Sequence, residues 1–152
     1  MKYLAYAAIF IAAYSVSARK MHNGPKIVTD SSKTCQYAVA RDWTQDSVRT
    51  GVSSSPDNEV TVVVQEAGHG QLFEDVKKNA RLKMSPLKII QDTDKRYWYV
   101  YRELADGDDS PDTHWYVAVL GNGHVCTAQI TFKSAIGDSL IRRIVQTIKP
   151  VK

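Results

Sequence analysis

The stretch YWYVYRELADGDDSPDTHWYVAVLGNGHVCTAQITF, residues 97–132, decides the fold. It contains three runs of strand-like composition: Tyr97–Glu103, His114–Leu120 and Val125–Phe132. The last two are joined by Gly121-Asn122-Gly123-His124. Asn-Gly is a strong short hairpin signal, because a type I′ turn needs positive φ at both central residues. A turn at Asn122-Gly123 sets Val119 opposite Cys126, Val117 opposite Ala128 and Trp115 opposite Ile130, which makes one apolar face. His114, Tyr116 and Ala118 then meet Thr131, Gln129 and Thr127 on the other face. A slip of one residue would scramble both sets, so turn chemistry and side-chain pattern specify the same register.

Working back through the chain, Tyr97, Tyr99 and Tyr101 share one face of their strand, and Trp98 and Val100 share the other. With Trp98 and Val100 in the Trp115–Val117 core, the three tyrosines stand beside Tyr116. Such a row offers area with polar tips and suits a protein or glycan partner. The alternative is that a helix covers this face and makes the tyrosines core.

Further strands are expected over Thr34–Val39, Val48–Val52, Val60–Glu66 and Leu87–Gln91, with Ser53–Asn58 a loop. Gln71–Met84 has helical spacing, with Leu72, Val76 and Ala80 at intervals of four and Phe73 widening the stripe. Acidic residues lead and basic residues trail in this segment, as the helix dipole favours. Ser85-Pro86 ends it. Ile136–Ile148 carries the clearest amphipathic pattern, on Ile136, Leu140, Ile141, Ile144, Val145 and Ile148. The order β-β-β-α-β-β-β-β-α describes an α+β domain, an antiparallel sheet packed with two α-helices and held by one disulfide.

The N-terminus reads as an address. Lys2, an apolar run from Tyr3 to Val16, and Val16-Ser17-Ala18 form the three parts of a cleavable signal peptide. The run falls short of the roughly 20 residues a spanning helix takes. Residues 1–18 are therefore expected to be removed, residues 19–33 to form a loose arm with a short edge strand at Ile27-Val28, and residues 34–152 to form a single domain. No stable membrane span is expected after cleavage, and the chain is expected in the periplasm or outside the cell.

Removing Lys2 with the leader takes the formal charge from +4 to +3. So small a charge, scattered along the chain, gives no ground for a nucleic-acid partner. Two cysteines, Cys35 and Cys126, fit a disulfide in an oxidising compartment. Both fall on inward faces of their strands.

Other chemistry is poorly supported. His22, His69, His114 and His124 show no zinc-binding helical spacing. Asp106, Asp108, Asp109 and Asp112 crowd one loop but lack the glycine and glutamate positions of an EF-hand. Neither a catalytic set, a metal nor a cofactor is expected. His69, between two glycines at a strand–helix junction, is the best-placed histidine for an anion or a hydrolytic role.

The early strand and turn Tyr37-Ala38-Val39-Ala40-Arg41-Asp42-Trp43, the helix start Leu72-Phe73-Glu74-Asp75-Val76, the Tyr97–Phe132 meander and the closing helix Leu140–Ile148 resemble the Mog1p/PsbP-like group, which includes DcrB-like envelope proteins. Ala40-Arg41 departs from that pattern, where proline and glycine are usual. The resemblance implies a mostly non-catalytic role in protein binding or as an accessory subunit. The expectation is thus a secreted or periplasmic binding domain, such as an inhibitor or immunity protein for a secreted toxin or an accessory envelope component. Its binding residues are expected to be Tyr97, Tyr99, Tyr101 and Tyr116. A carrier of a small ligand or lipid is the alternative, and a hydrolase using His69 is a more distant one.

Overall fold

The computed structural model describes residues 24–68, 70–83, 86–102, 113–132 and 138–151. The expectations for the leader, His22, His69, the aspartate loop and Ile136 concern positions outside these residues.

The hairpin has the register its turn dictates. The strands Thr113–Gly121 (β8) and His124–Phe132 (β9) pair with Val119 opposite Cys126, Val117 opposite Ala128 and Trp115 opposite Ile130. Asn122 and Gly123 take φ of 52° and 78°, the left-handed values of a type I′ turn. Around this hairpin lies a seven-stranded antiparallel sheet in the order β3-β4-β5-β9-β8-β7-β6. Its other members are Thr44–Gln45 (β3), Val52–Ser54 (β4), Val60–Glu66 (β5), Lys88–Asp92 (β6) and Arg96–Arg102 (β7). A second sheet of three strands runs β1-β2-β10, from Lys26–Thr29 (β1), Cys35–Val39 (β2) and Lys149–Pro150 (β10).

Among the described residues two helices complete three layers. The helix Asp138–Thr147 (α2) packs with the small sheet against one face of the large sheet. Val60, Val62, Val64, Trp98, Trp115, Val117 and Ile130 come from the large sheet, and Ile141, Ile144 and Val145 come from α2. Each such aliphatic contributes about 1.5–3 kcal/mol when buried. Arg142 lies over the rings of Trp98 and Trp115, at 5.3 and 5.6 Å. Arg96 donates to the carbonyls of Val145 and Ile148 at 3.0 and 3.3 Å, satisfying acceptors at the end of α2. The disulfide Cys35–Cys126 joins the two sheets directly.

The helix Phe73–Lys83 (α1) lies on the opposite face of the large sheet, over β7 and β8. Asp92 binds Lys77 and Arg81 from this helix and so fixes its outer edge to β6.

Several expectations need correction. Val48–Val52 is not a strand: Val48 is 87% exposed in a turn, and β4 starts only at Val52. Gly51 has φ +81°, and a Cβ there would stand 2.3 Å from the Val64 carbonyl, so glycine serves a close backbone approach. Ser53 and Ser54 belong to β4 rather than to a loop, since Ser53 and the Tyr37 hydroxyl bond at 2.7 Å inside the core. Leu72 precedes α1 and is 69% exposed, so the contact stripe is Phe73, Val76 and Ala80. The short edge strand expected at Ile27-Val28 is β1, paired with β2, but residues 24–33 around it belong to the fold rather than to a loose arm, and Asp30 is buried.

Candidate functional site

The tyrosine row is core. Tyr97 and Tyr99 are fully buried, and Tyr101 and Tyr116 are nearly so. The expectation of an open binding row at Tyr97, Tyr99, Tyr101 and Tyr116 is overturned because α1 covers it. Phe73, Val76 and Ala80 rest on the rings, the Tyr99 hydroxyl donates to the Ala80 carbonyl at 3.3 Å, and Arg81 donates to the Tyr97 hydroxyl at 3.0 Å. Burial, with the neighbouring tyrosines adding to it, pushes the Tyr99 phenol far above its ordinary range.

Among the described residues α1 is the helix on this face, and it covers only part of so wide a sheet. The alternation of β5 and β9 places Gln65, Thr127 and Gln129 there, on the same face as Tyr116. Between this surface and the flank of α1 runs a polar cleft of about 290 Å³. Its walls include Gln65, Gln71, Asn79, Tyr116 and Gln129.

At the cleft's end the Glu66 carboxylate accepts a hydrogen bond from His124 Nδ1–H, at 2.7 Å. The His124 bond is the main cause holding the Glu66 carboxyl below its usual range, with Ser32 and Thr34 adding to it. This pair braces strand ends from β5 and β9 against the turn after β1. Nothing in the sequence pattern marks Glu66 and His124 as a pair. They lie far apart in sequence and meet only because β5 pairs with β9. The other described histidine, His114, bonds Thr131 at 2.9 Å, the partner its register gives it. Among the described residues no group of three or more His, Cys, Asp or Glu side chains is placed to hold a metal ion.

A second cavity lies on the opposite side, between α2 and β2. This groove of about 400 Å³ is mostly apolar. Ala38, Ala40, Trp43, Leu140 and Ile144 line it, and Arg143 and Gln146 stand at its lip. Its rim is basic. Arg41 reaches Gly24 beside the groove, and Lys26 Nζ donates to the Trp43 carbonyl at 3.3 Å. The residues Tyr37–Trp43, singled out above for their family resemblance, thus supply one wall. The other wall is the helix face that carries Leu140 and Ile144.

No protein-family model matches the chain, and neither does any curated protein. Solved structures do. The Ran-binding protein Mog1p of Saccharomyces cerevisiae aligns over 85% of this chain and 96% of its own, with a TM-score of 0.50 at 9% identity. Cyanobacterial PsbP (CyanoP) of Synechocystis sp. PCC 6803 aligns over 83% of this chain and 92% of its own, with a TM-score of 0.51 at 11% identity. The fold is the Mog1p/PsbP-like fold. At such identities the likeness concerns architecture alone. Within this Mog1p/PsbP-like fold the two cavities occupy opposite faces of the large sheet, one beside α1 and one beside α2. Among the described residues no helix is long and apolar enough to cross a membrane.

Proposed function

We propose that this chain is an exported, non-catalytic protein-binding domain, and that it docks its partner in the groove between α2 and β2. The observation that carries this reading is the groove itself: an apolar trough with Trp43, Leu140 and Ile144 in its walls and arginines at its rim. Interfaces draw most of their energy from a few apolar anchors seated in such pockets, with charged residues outside. The occupant that fits is a protein segment with an apolar anchor and acidic flanks.

The disulfide supports an oxidising compartment, as the leader-like N-terminus does. Mog1p, which has this fold, is described as a Ran-binding protein, and that favours a binding role for the architecture. An inhibitor or immunity protein for a secreted toxin, or an accessory subunit of an envelope assembly, are the roles this address and rigidity suit.

The test is partner capture with Ala40→Glu and Leu140→Gln, each checked by circular dichroism. Ala40→Glu places a carboxylate in the apolar trough where the anchor is to sit and should reduce capture at least about tenfold, the effect of losing one anchor. Folded variants that capture the same partner as the unaltered protein would overturn the proposal. So would a groove that carries a co-purified lipid and no protein, which is the carrier reading.

A further inference from the structure

The polar cleft on the other face is built differently and calls for a different occupant. Its lining brings together the carboxamides of Gln65, Gln71, Asn79 and Gln129 and the hydroxyl-bearing side chain of Tyr116. Tyr116 is only 8% exposed, yet its hydroxyl is not a buried polar atom left without a partner, so the exposure it keeps lies at the cleft it lines. It therefore turns a polar tip toward whatever fills the cleft. Burial, with Tyr101 and Tyr97 nearby, pushes its pKa up to about 12, so the hydroxyl keeps its proton and can both donate and accept near neutral pH.

We infer that the cleft between α1 and the β5–β9 part of the sheet binds a small, neutral, hydroxyl-rich ligand of the sugar class. Carboxamides and phenols each offer donor and acceptor together, and this matches hydroxyl groups, which do the same. The charges at the cleft are balanced: Lys83 is at one margin, and Glu66 at the other is already engaged by His124. An anion or a cation therefore gains little there. A nucleobase wants an open aromatic face for stacking. The Tyr116 ring is instead packed against Tyr99, with centroids 5.2 Å apart, inside the cluster under α1. Val76 and Ala80 give one apolar wall for the C–H face of a sugar ring. The volume, about 290 Å³, lies at the small end of ligand pockets, which run roughly 300–1,000 Å³. A monosaccharide, or the terminal unit of a glycan, is the size it takes.

This site is independent of the groove beside α2, and its test can fail on its own. The oxidised protein is titrated with glucose, galactose, mannose and N-acetylglucosamine, and with uridine and glutamine as comparators. The side-chain amide resonances of Asn79 and Gln129 are followed by NMR. At least one sugar should give saturable shifts of these resonances. Tyr116→Phe keeps the ring in its packing and removes only the hydroxyl. It should weaken that sugar about fivefold, the size of one neutral hydrogen bond. Gln129→Ala, at an exposed position on the sheet, should weaken it comparably even if Tyr116→Phe folds poorly. Leu140→Gln, in the opposite groove, should leave it unchanged. The inference is overturned if no sugar gives saturable shifts at tens of millimolar, if uridine or glutamine binds and the sugars do not, or if Tyr116→Phe and Gln129→Ala both bind as the unaltered protein does.

Discussion

Reducing the Cys35–Cys126 bond should cost this domain much of its stability. The bond closes a loop with a sequence separation of 91 and is the covalent tie between the three-stranded and seven-stranded sheets. In the chain-entropy treatment, a loop of that length removes about 4.6 kcal/mol of disorder from the unfolded chain at 25 °C. For a domain of this size, each kcal/mol moves Tm by roughly 4 °C, so Tm should fall by about 15–20 °C. Both half-cystines are fully buried, so reductant will not reach them in the folded protein. The protein should be reduced in denaturant, refolded under the same reductant and its thiols confirmed by mass. It is then melted by calorimetry beside the oxidised form. A reduced protein that melts within a few degrees of the oxidised one would refute the reasoning. It would mean that the contacts between the sheets hold the layers together without the bond.

Two more outcomes follow from the packing. Arg96→Ala should cost about 2 kcal/mol in urea unfolding, because the Val145 and Ile148 carbonyls lose a charged donor in a partly buried site. Asp30 accepts bonds from the Ser32 hydroxyl and the amides of Thr34, Cys35 and Glu66. Burial alone would push its carboxyl up, but these donors together outweigh that and hold it below its ordinary value. A depressed folded-state value means that the stabilisation is complete above that ordinary value and is lost as pH falls through the lower one. Asp30→Asn should therefore destabilise by about 2 kcal/mol at neutral pH and flatten the loss of stability below pH about 4, as read from denaturant midpoints across pH.

The local parts of this fold were legible in the sequence. Asn122-Gly123 fixed a register that the flanking alternation confirmed pair by pair, since a short turn leaves no freedom to slip. Cys35 and Cys126 were readable as partners because both lie on the inward face of an alternating strand. What failed was non-local. The tyrosine row of β7 has one alternating pattern whether it faces solvent or a helix. Only the path of the chain after β5, which lays Phe73, Val76 and Ala80 on that row, decides between the two. Val48 and Val52 looked like one strand because composition does not reveal that Gly51 must pass close to the Val64 carbonyl. Both cavities were hidden for a similar reason. Gln65 and Gln129 are neighbours through the pairing of β5 with β9 across an intervening helix and three strands. The groove needs β2 and α2, from opposite ends of the chain, in contact. Polar residues at alternate positions of β5 and β9 were the available signal that one face of these strands is not fully covered.

The proposal of a docking groove is tested most directly by photo-crosslinking from its lip. A photoreactive residue replaces Gln146, which lines the groove and is exposed. A second protein carries the same residue at Asp94, in the exposed turn between β6 and β7. Illumination in the protein's own compartment should give one discrete adduct with another protein from position 146 and none from position 94. That adduct should disappear when Ala40→Glu is added. Adducts of equal yield from both positions, or only an internal link from position 146 to the same chain, would contradict the account.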